Sequence, residues 1–221
     1  MSAVSEWIVR EYFEALGFLV RQPVKYQVVA RSKRAEEEID LVVSNPAANG
    51  EPASKRLLWA ASDLRHVARA VVSIRGWHTE SFTPGVLEMS PEIFRFTEDE
   101  VVRIARRLLG DGPIARILCV PTLPPPGAAL DKAREMLSAR GVDGVLSFRT
   151  ILLELTARVD VNRHYEKSDL LQVLRLLKNY GLLQTPQLPL FARRAHPAGT
   201  RRPGAGDRPP TDAGDAAGAK A

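Results

Sequence analysis

Five residues near the C-terminal end of the chain have the side chains of a short recognition peptide. Gln187, Leu188, Pro189, Leu190 and Phe191 lie between the last predicted helix and a segment rich in Gly, Ala and Pro. A peptide of this kind binds in the groove of a folded partner when its amide forms hydrogen bonds and its apolar side chains enter a pocket. The alternative is that the apolar residues fold back onto their own domain, because exposed apolar residues are otherwise a liability.

A basic cluster in the first quarter of the chain could bind phosphates. Arg31, Lys33 and Arg34 stand directly before the acidic run 36–38 and form the best local concentration of positive charge. Cationic side chains that contact phosphate oxygens position a nucleic acid without reading its sequence. The alternative is an exposed turn.

Four aromatic residues and one histidine could also contribute to binding or catalysis. Trp59, Trp77, Phe82 and Tyr165 could stack on the bases of an opened strand, with core packing as the alternative role. His78 follows Trp77 and could act as a general base. A loop position without a catalytic role is the interpretation that we favour for this histidine.

The first two thirds of the chain resemble the PD-(D/E)XK, or restriction-endonuclease-like, superfamily, including its Holliday-junction-resolvase and Mrr-type members. Glu6 lies in a predicted first helix, Gly17-Phe18 follows, and Asp40 belongs to a Glu-Ile-Asp-Leu segment. The resemblance covers residues 5–150 and implies a mixed central sheet flanked by helices. It also implies that Glu6 and Asp40 share a site for Mg²⁺ or Mn²⁺, which prefer carboxylate oxygens, and that DNA is the partner.

The third motif of that family is altered in this chain. The family has Glu-x-Lys on the next strand, where this chain has Ser73-Ile74-Arg75. Serine is a poor metal ligand, and arginine keeps the positive charge but effectively never releases its proton. The resemblance therefore predicts a degenerate nuclease site at Glu6, Asp40, Ser73 and Arg75, in which Asp40 and Glu6 bind a divalent metal weakly or not at all.

Two outcomes stay open at this site. In an active Mg²⁺-dependent endonuclease, Glu38 or Glu80 would take the place of the missing ligand, or a backbone carbonyl would assist Asp40 and Glu6. In an inactive protein, Arg75 would form an ion pair with Asp40 across adjacent strands, so that a fixed cation replaces the metal. We expect the ion pair.

The C-terminal pentapeptide resembles the motif by which bacterial replication and repair proteins bind the DNA polymerase sliding clamp. In that motif a Gln forms hydrogen bonds, and a Leu-Phe pair corresponding to Leu190 and Phe191 enters an apolar pocket. Together the two resemblances imply a DNA repair or recombination accessory protein with an inactivated nuclease-like domain. A small-molecule α/β enzyme is a weaker alternative, because the chain has no Gly-rich Rossmann or P-loop pattern.

Length and composition indicate one soluble domain with a tail. The chain has 221 residues, of which 45% are hydrophobic, enough for one core. Glu6, Arg10, Glu11 and Glu14 interrupt the first apolar segment, so it predicts neither a signal peptide nor a membrane span, and we expect a cytoplasmic protein. The single Cys119 excludes an internal disulfide and is expected to be buried. Much of the net charge of +5 lies in the Arg-rich tail, so charge argues only weakly for nucleic acid.

The elements that must position these residues alternate along the chain. Hydrophobic periodicity predicts helices over 5–17, 97–110, 128–140, 151–159 and 169–180, and apolar runs or strands over 39–43, 67–74, 117–120 and 145–148. Ser5 and Ser168 are expected as N-caps, and Thr97 with Glu100 as a capping box. This order predicts an α/β domain over 1–160, a helical extension over 161–183, the clamp-binding-type motif over 184–191 and a disordered basic tail over 192–221.

Overall fold

Five strands form one mixed sheet at the centre of the fold. The structure, a computed structural model, describes residues 3–23, 38–48, 54 and 56–183. The strands are β1 (Leu19–Arg21), β2 (Leu41–Ser44), β3 (Arg69–Ile74), β4 (Ala115–Val120) and β5 (Gly144–Ser147), and they lie side by side in that order. The pairs β1–β2 and β2–β3 are antiparallel, whereas β3–β4 and β4–β5 are parallel. The predicted α/β class with a mixed central sheet is confirmed.

Seven α-helices and one 3-10 helix occur among the described residues. They are α1 (Ala3–Ala15), α2 (Ala61–Leu64), α3 (Pro84–Met89), the 3-10 helix (Pro91–Thr97), α4 (Asp99–Leu109), α5 (Ala128–Ala139), α6 (Phe148–Arg158) and α7 (Asp169–Asn179). The five helices that periodicity predicts are present within a few residues of the predicted bounds. The sequence pattern did not predict α2, α3 or the 3-10 helix. Among the described residues, no helix is both long and apolar enough to cross a bilayer.

Alternate residues of the strands supply two separate cores, one on each face of the sheet. Val43 and Val72 belong to a cluster with apolar residues of α1, α6 and α7. Val42 and Val71 belong to a second cluster with α3, α4, α5 and the 3-10 helix. Because side chains alternate between the faces of a strand, a strand covered on both faces must be apolar at successive positions, as β3 is. Cys119 is buried in the first cluster, as predicted.

Two of the three predicted helix caps are wrong. Ser5 lies inside α1, where it is 1% exposed, and its hydroxyl is hydrogen-bonded to a loop instead of to the helix terminus. Thr97 belongs to the 3-10 helix, and its hydroxyl donates to the carbonyls of Phe94 and Arg140, so no capping box forms with Glu100. The prediction for Ser168 is confirmed, since its Oγ accepts from the backbone N–H of Leu171 at 3.2 Å.

The helical extension packs against the α1 side of the sheet. Leu174 of α7 is buried in the first cluster. The Lys178 ammonium group donates to the carbonyl oxygens of Thr156 and Val159, at 3.1 Å and 2.6 Å. A lysine at this position gives the carbonyl groups of a helix end an additional, charged hydrogen-bond donor. The end of α6 is therefore tied to α7.

Candidate functional site

The candidate site lies at the edge of the sheet where the parallel strands β3, β4 and β5 have their carboxyl ends. Leu41 of β2 pairs with Val72 of β3, so the preceding residue, Asp40, lies beside Ser73. Arg75 extends β3 by one residue, and its backbone N–H donates to the carbonyl of Cys119 at 2.9 Å. Ligands of open α/β sheets bind at the carboxyl ends of the parallel strands, so this edge is the first place to look for a site.

Asp40 forms the centre of the cluster through one carboxylate oxygen. Its Oδ2 accepts from the backbone N–H of Ile74 at 2.5 Å and from the Ser73 hydroxyl at 3.3 Å. The same oxygen lies 3.8 Å from Nη1 of Arg75. The predicted ion pair between Asp40 and Arg75 is therefore present. We refer to Asp40, Ser73 and Arg75 as the Asp–Ser–Arg cluster.

The guanidinium group of Arg75 is held in place by backbone carbonyls as well as by Asp40. Its Nη1 donates to the carbonyl of Ile74 at 3.4 Å, and its Nη2 donates to the carbonyl of Glu92 at 3.3 Å. The residue is only 8% exposed. Because arginine does not lose its proton in proteins, this group supplies a permanent positive charge beside Asp40.

Burial changes the protonation of Asp40. The residue is 7% exposed, and its pKa is raised from 3.8 to about 6, mainly because the charged carboxylate loses its hydration. The nearby charge of Glu6 acts in the same direction. The Ile74 N–H, Arg75 and Ser73 act in the opposite direction and favour the ionised carboxylate.

Glu6 lies near the cluster but has a different hydrogen-bond partner. Its Oε2 accepts from Nε2 of Gln22 at 2.8 Å, which connects α1 to the residue after β1. Partial burial raises the pKa of Glu6. Glu6 acts on Asp40 through its charge, and the two described side chains form no hydrogen bond with each other.

The two other carboxylates considered as metal ligands are placed differently. Glu38 is buried, and its Oε1 lies 3.5 Å from Nη1 of Arg95, so it is paired with a cation. Glu80 is exposed in the loop after β3. Within the described ranges, no three His, Cys, Asp or Glu side chains are arranged to hold a metal ion.

A divalent cation at Oδ2 of Asp40 would have to compete with the partners that this oxygen already has. Mg²⁺ binds carboxylate oxygens at about 2.0–2.1 Å with octahedral geometry. An ion bound to Oδ2 of Asp40 would face the fixed charge of Arg75, which lies 3.8 Å from that oxygen. It would also displace the hydrogen bonds from Ile74 and Ser73. The arrangement instead neutralises one buried carboxylate with one buried cation.

A loop connects the cluster to the start of α1. Oγ of Ser5 and Nε2 of His78 are 3.0 Å apart, and the His78 ring meets Phe148 edge-on with ring centroids 4.7 Å apart. A Cβ atom on Gly76 would press against the Ser5 hydroxyl, so the close approach requires glycine. His78 is exposed in a loop, as predicted. The sequence did not predict its contact with Ser5.

The four aromatic residues considered for base stacking offer little exposed surface. Trp59 and Phe82 are 3% and 0% exposed, which contradicts a stacking role for both. Trp77 is half-buried and stacks on Phe82, with ring centroids 5.5 Å apart. The hydroxyl of Tyr165 accepts from the backbone N–H of Asp160. Core packing is their main role.

The two predicted binding segments lie outside the described residues. They are the basic cluster of Arg31, Lys33 and Arg34, and the peptide of Gln187, Leu188, Leu190 and Phe191. Both therefore stay predictions from the sequence.

Comparison with known proteins leaves the site to be interpreted from its own residues. No family model, no curated protein and no solved structure matches this chain. The fold and the site define an α/β protein with a five-stranded mixed sheet and a buried Asp–Ser–Arg cluster at the carboxyl ends of its parallel strands.

Proposed function

We propose that this protein is a DNA-associated repair or recombination accessory protein whose nuclease-like domain has lost its catalytic metal site. In this proposal residues 184–191 recruit it to the DNA polymerase sliding clamp. The observation that carries the proposal is the ion pair between Asp40 and Arg75, two residues that the sequence resemblance assigns to a metal site.

The position of each cluster residue supports an inactivated site. Asp40, which directly precedes β2, lies beside Ser73 of the antiparallel neighbour β3, and the charge of Glu6 from α1 acts on Asp40. The resemblance to the nuclease superfamily implies this proximity of Glu6 and Asp40 to the segment Ser73-Ile74-Arg75. Ser73 donates a hydrogen bond to Asp40, where a carboxylate would have added a metal ligand. In this proposal Arg75 supplies the positive charge that a metal ion would supply in an active nuclease.

Exposed arginines on α4 support an interaction with phosphates. Val101, Ile104 and Ala105 are buried against the sheet, and Arg103, Arg106 and Arg107 are exposed. None of these three arginines forms an ion pair within the described part of the chain. Such a helix face adds sequence-independent, salt-sensitive contacts of the kind that arginine makes with nucleic-acid backbones.

A DNA-binding and nicking experiment tests the proposal. Fluorescence anisotropy should show salt-sensitive binding to branched, nicked or single-stranded DNA that is equal in EDTA and in Mn²⁺, and plasmid should stay intact. The double substitution Ser73→Glu with Arg75→Lys should introduce Mn²⁺-dependent nicking, and a further Asp40→Ala should remove it. Ser73→Glu alone, which keeps the fixed cation, is the matched control and should stay inactive.

Two results would refute parts of this proposal. Robust nicking by the wild-type protein that disappears in Asp40→Ala would make it an active endonuclease. Absence of DNA binding at low salt would remove the DNA function altogether. Recruitment is tested separately on immobilised clamp, where deletion of 184–221 should abolish retention and deletion of 192–221 should preserve it.

A further inference from the structure

A pocket with a volume of about 310 Å³ opens at the opposite end of the strands from the Asp–Ser–Arg cluster. Asn45, which follows the last residue of β2, is part of its wall, whereas Asp40 precedes the first residue of β2. The apolar part of the wall includes Phe18 and Leu64, which are 4% and 0% exposed. The pocket therefore has an apolar floor that belongs to the core and is separate from the candidate site.

The polar part of the pocket is positively charged. Arg65 follows α2 and Arg158 is the last residue of α6, so the two guanidinium groups reach the pocket from different elements. Among the residues that the structure describes, no aspartate or glutamate lines it. Within the described ranges of the chain, neither arginine forms an ion pair. Ser62 and Asn45 add a hydroxyl and an amide that can donate hydrogen bonds.

We propose that this pocket binds a small organic anion, in which a phosphate or carboxylate group is attached to an apolar or aromatic group. The anionic group would lie against Arg65 and Arg158, since guanidinium groups form strong charge-assisted hydrogen bonds with both kinds of anion. The apolar group would cover Phe18 and Leu64. Ligand pockets typically span about 300–1,000 Å³, so a volume of about 310 Å³ suits a molecule of nucleotide size or smaller.

Isothermal titration calorimetry of the full-length chain with phenyl phosphate tests this proposal. Phenyl phosphate and benzoate should bind, inorganic phosphate should bind more weakly because it leaves the apolar floor uncovered, and neutral benzyl alcohol should bind weakest. Arg65→Gln and Arg158→Gln should each weaken the binding of phenyl phosphate by about tenfold, the size typical of one charge-assisted hydrogen bond. Bound ligand should also raise the melting temperature of the wild type more than that of either variant.

Arg149→Gln provides a matched control. Arg149 is also an exposed arginine of α6, but it lies at the other end of the helix and does not line the pocket. This variant should bind phenyl phosphate as the wild type does, and circular dichroism should show all three variants folded. Equal affinity of the wild type, Arg65→Gln and Arg158→Gln, or equal binding of benzyl alcohol and phenyl phosphate, would overturn the proposal.

Discussion

Replacement of Asp40 by Asn should stabilise the protein at pH 8 and should flatten the dependence of its stability on pH. The pKa of Asp40 is raised from 3.8 to about 6, so its ionised form is disfavoured in the native state even beside Arg75. A shift of this size corresponds to a free energy of about 3 kcal/mol. Asn resembles the protonated acid, and its oxygen can still accept from Ile74 and Ser73.

The expected direction follows from proton binding. Between pH 3.8 and about 6 the native state of Asp40 holds more protons than the unfolded state, so the free energy of unfolding falls as the pH rises. The stabilisation that comes from the proton on native Asp40 is therefore fully present below pH 3.8 and is lost above about pH 6. The substitution also removes the negative charge that faces Arg75, and this loss reduces the gain in stability. Arg75 keeps its hydrogen bonds to two backbone carbonyls. We therefore expect Asp40→Asn to gain about 1–3 kcal/mol at pH 8 and little below pH 4.

Urea denaturation of the wild type and of Asp40→Asn at several pH values between 4 and 8 provides the measurement. Asp143→Asn is the matched control, because Asp143 pairs with Arg116 at the surface, where both side chains are at least one third exposed. The control should change stability by less than about 1 kcal/mol. A loss of about 3–5 kcal/mol in Asp40→Asn at pH 8 would refute the reasoning, since that is the cost of leaving a buried charge without its partner.

Three further substitutions have expected outcomes. Tyr12→Phe should lower the free energy of unfolding by about 1–2 kcal/mol in urea denaturation, because the Tyr12 hydroxyl donates to Glu154 in a partly buried contact. Gly144→Ala should lower the melting temperature, because its Cβ would overlap the buried Trp59 ring and overpacking costs about 1–3 kcal/mol. Phe191→Ala should weaken clamp binding by tens of fold in surface plasmon resonance, since loss of an aromatic anchor costs about 2 kcal/mol or more; unchanged binding would contradict the peptide hypothesis.

The central sheet could be predicted from the sequence because its strands are short apolar runs bounded by turn residues. The run that becomes β3 ends before Gly76, and the run that becomes β4 is stopped by Pro121. The missed α3 does have a sequence signal, because Thr83 caps it and Pro84 occupies its first turn. Its six residues are too few to establish a helical period. The capping box at Thr97 failed because the hydroxyl bonds to the carbonyl of Phe94 in its own 3-10 helix and to that of Arg140, a tertiary partner that no local pattern encodes.

The candidate site shows the same division between local and tertiary information. The contact of Asp40 with Arg75 could be predicted, because the two residues have opposite charges and belong to apolar runs that are expected to form adjacent strands. The contact of Ser5 with His78 joins residues 73 positions apart and depends on the course of a loop. Gly76 is the residue in that loop whose identity reflects the close approach to Ser5.

The pairing of Glu38 with Arg95 is likewise tertiary, and it changes how the Glu-Ile-Asp segment is interpreted. Glu38 and Asp40 each lie beside an arginine from a different element, so both carboxylates of the segment are neutralised by the chain itself. A divalent cation that used both carboxylates as ligands would have to compete with both arginines. Substitution of Arg75 alone would free only one of these carboxylates, so we expect recovery of metal binding to need a new ligand at Ser73 as well as the replacement of Arg75.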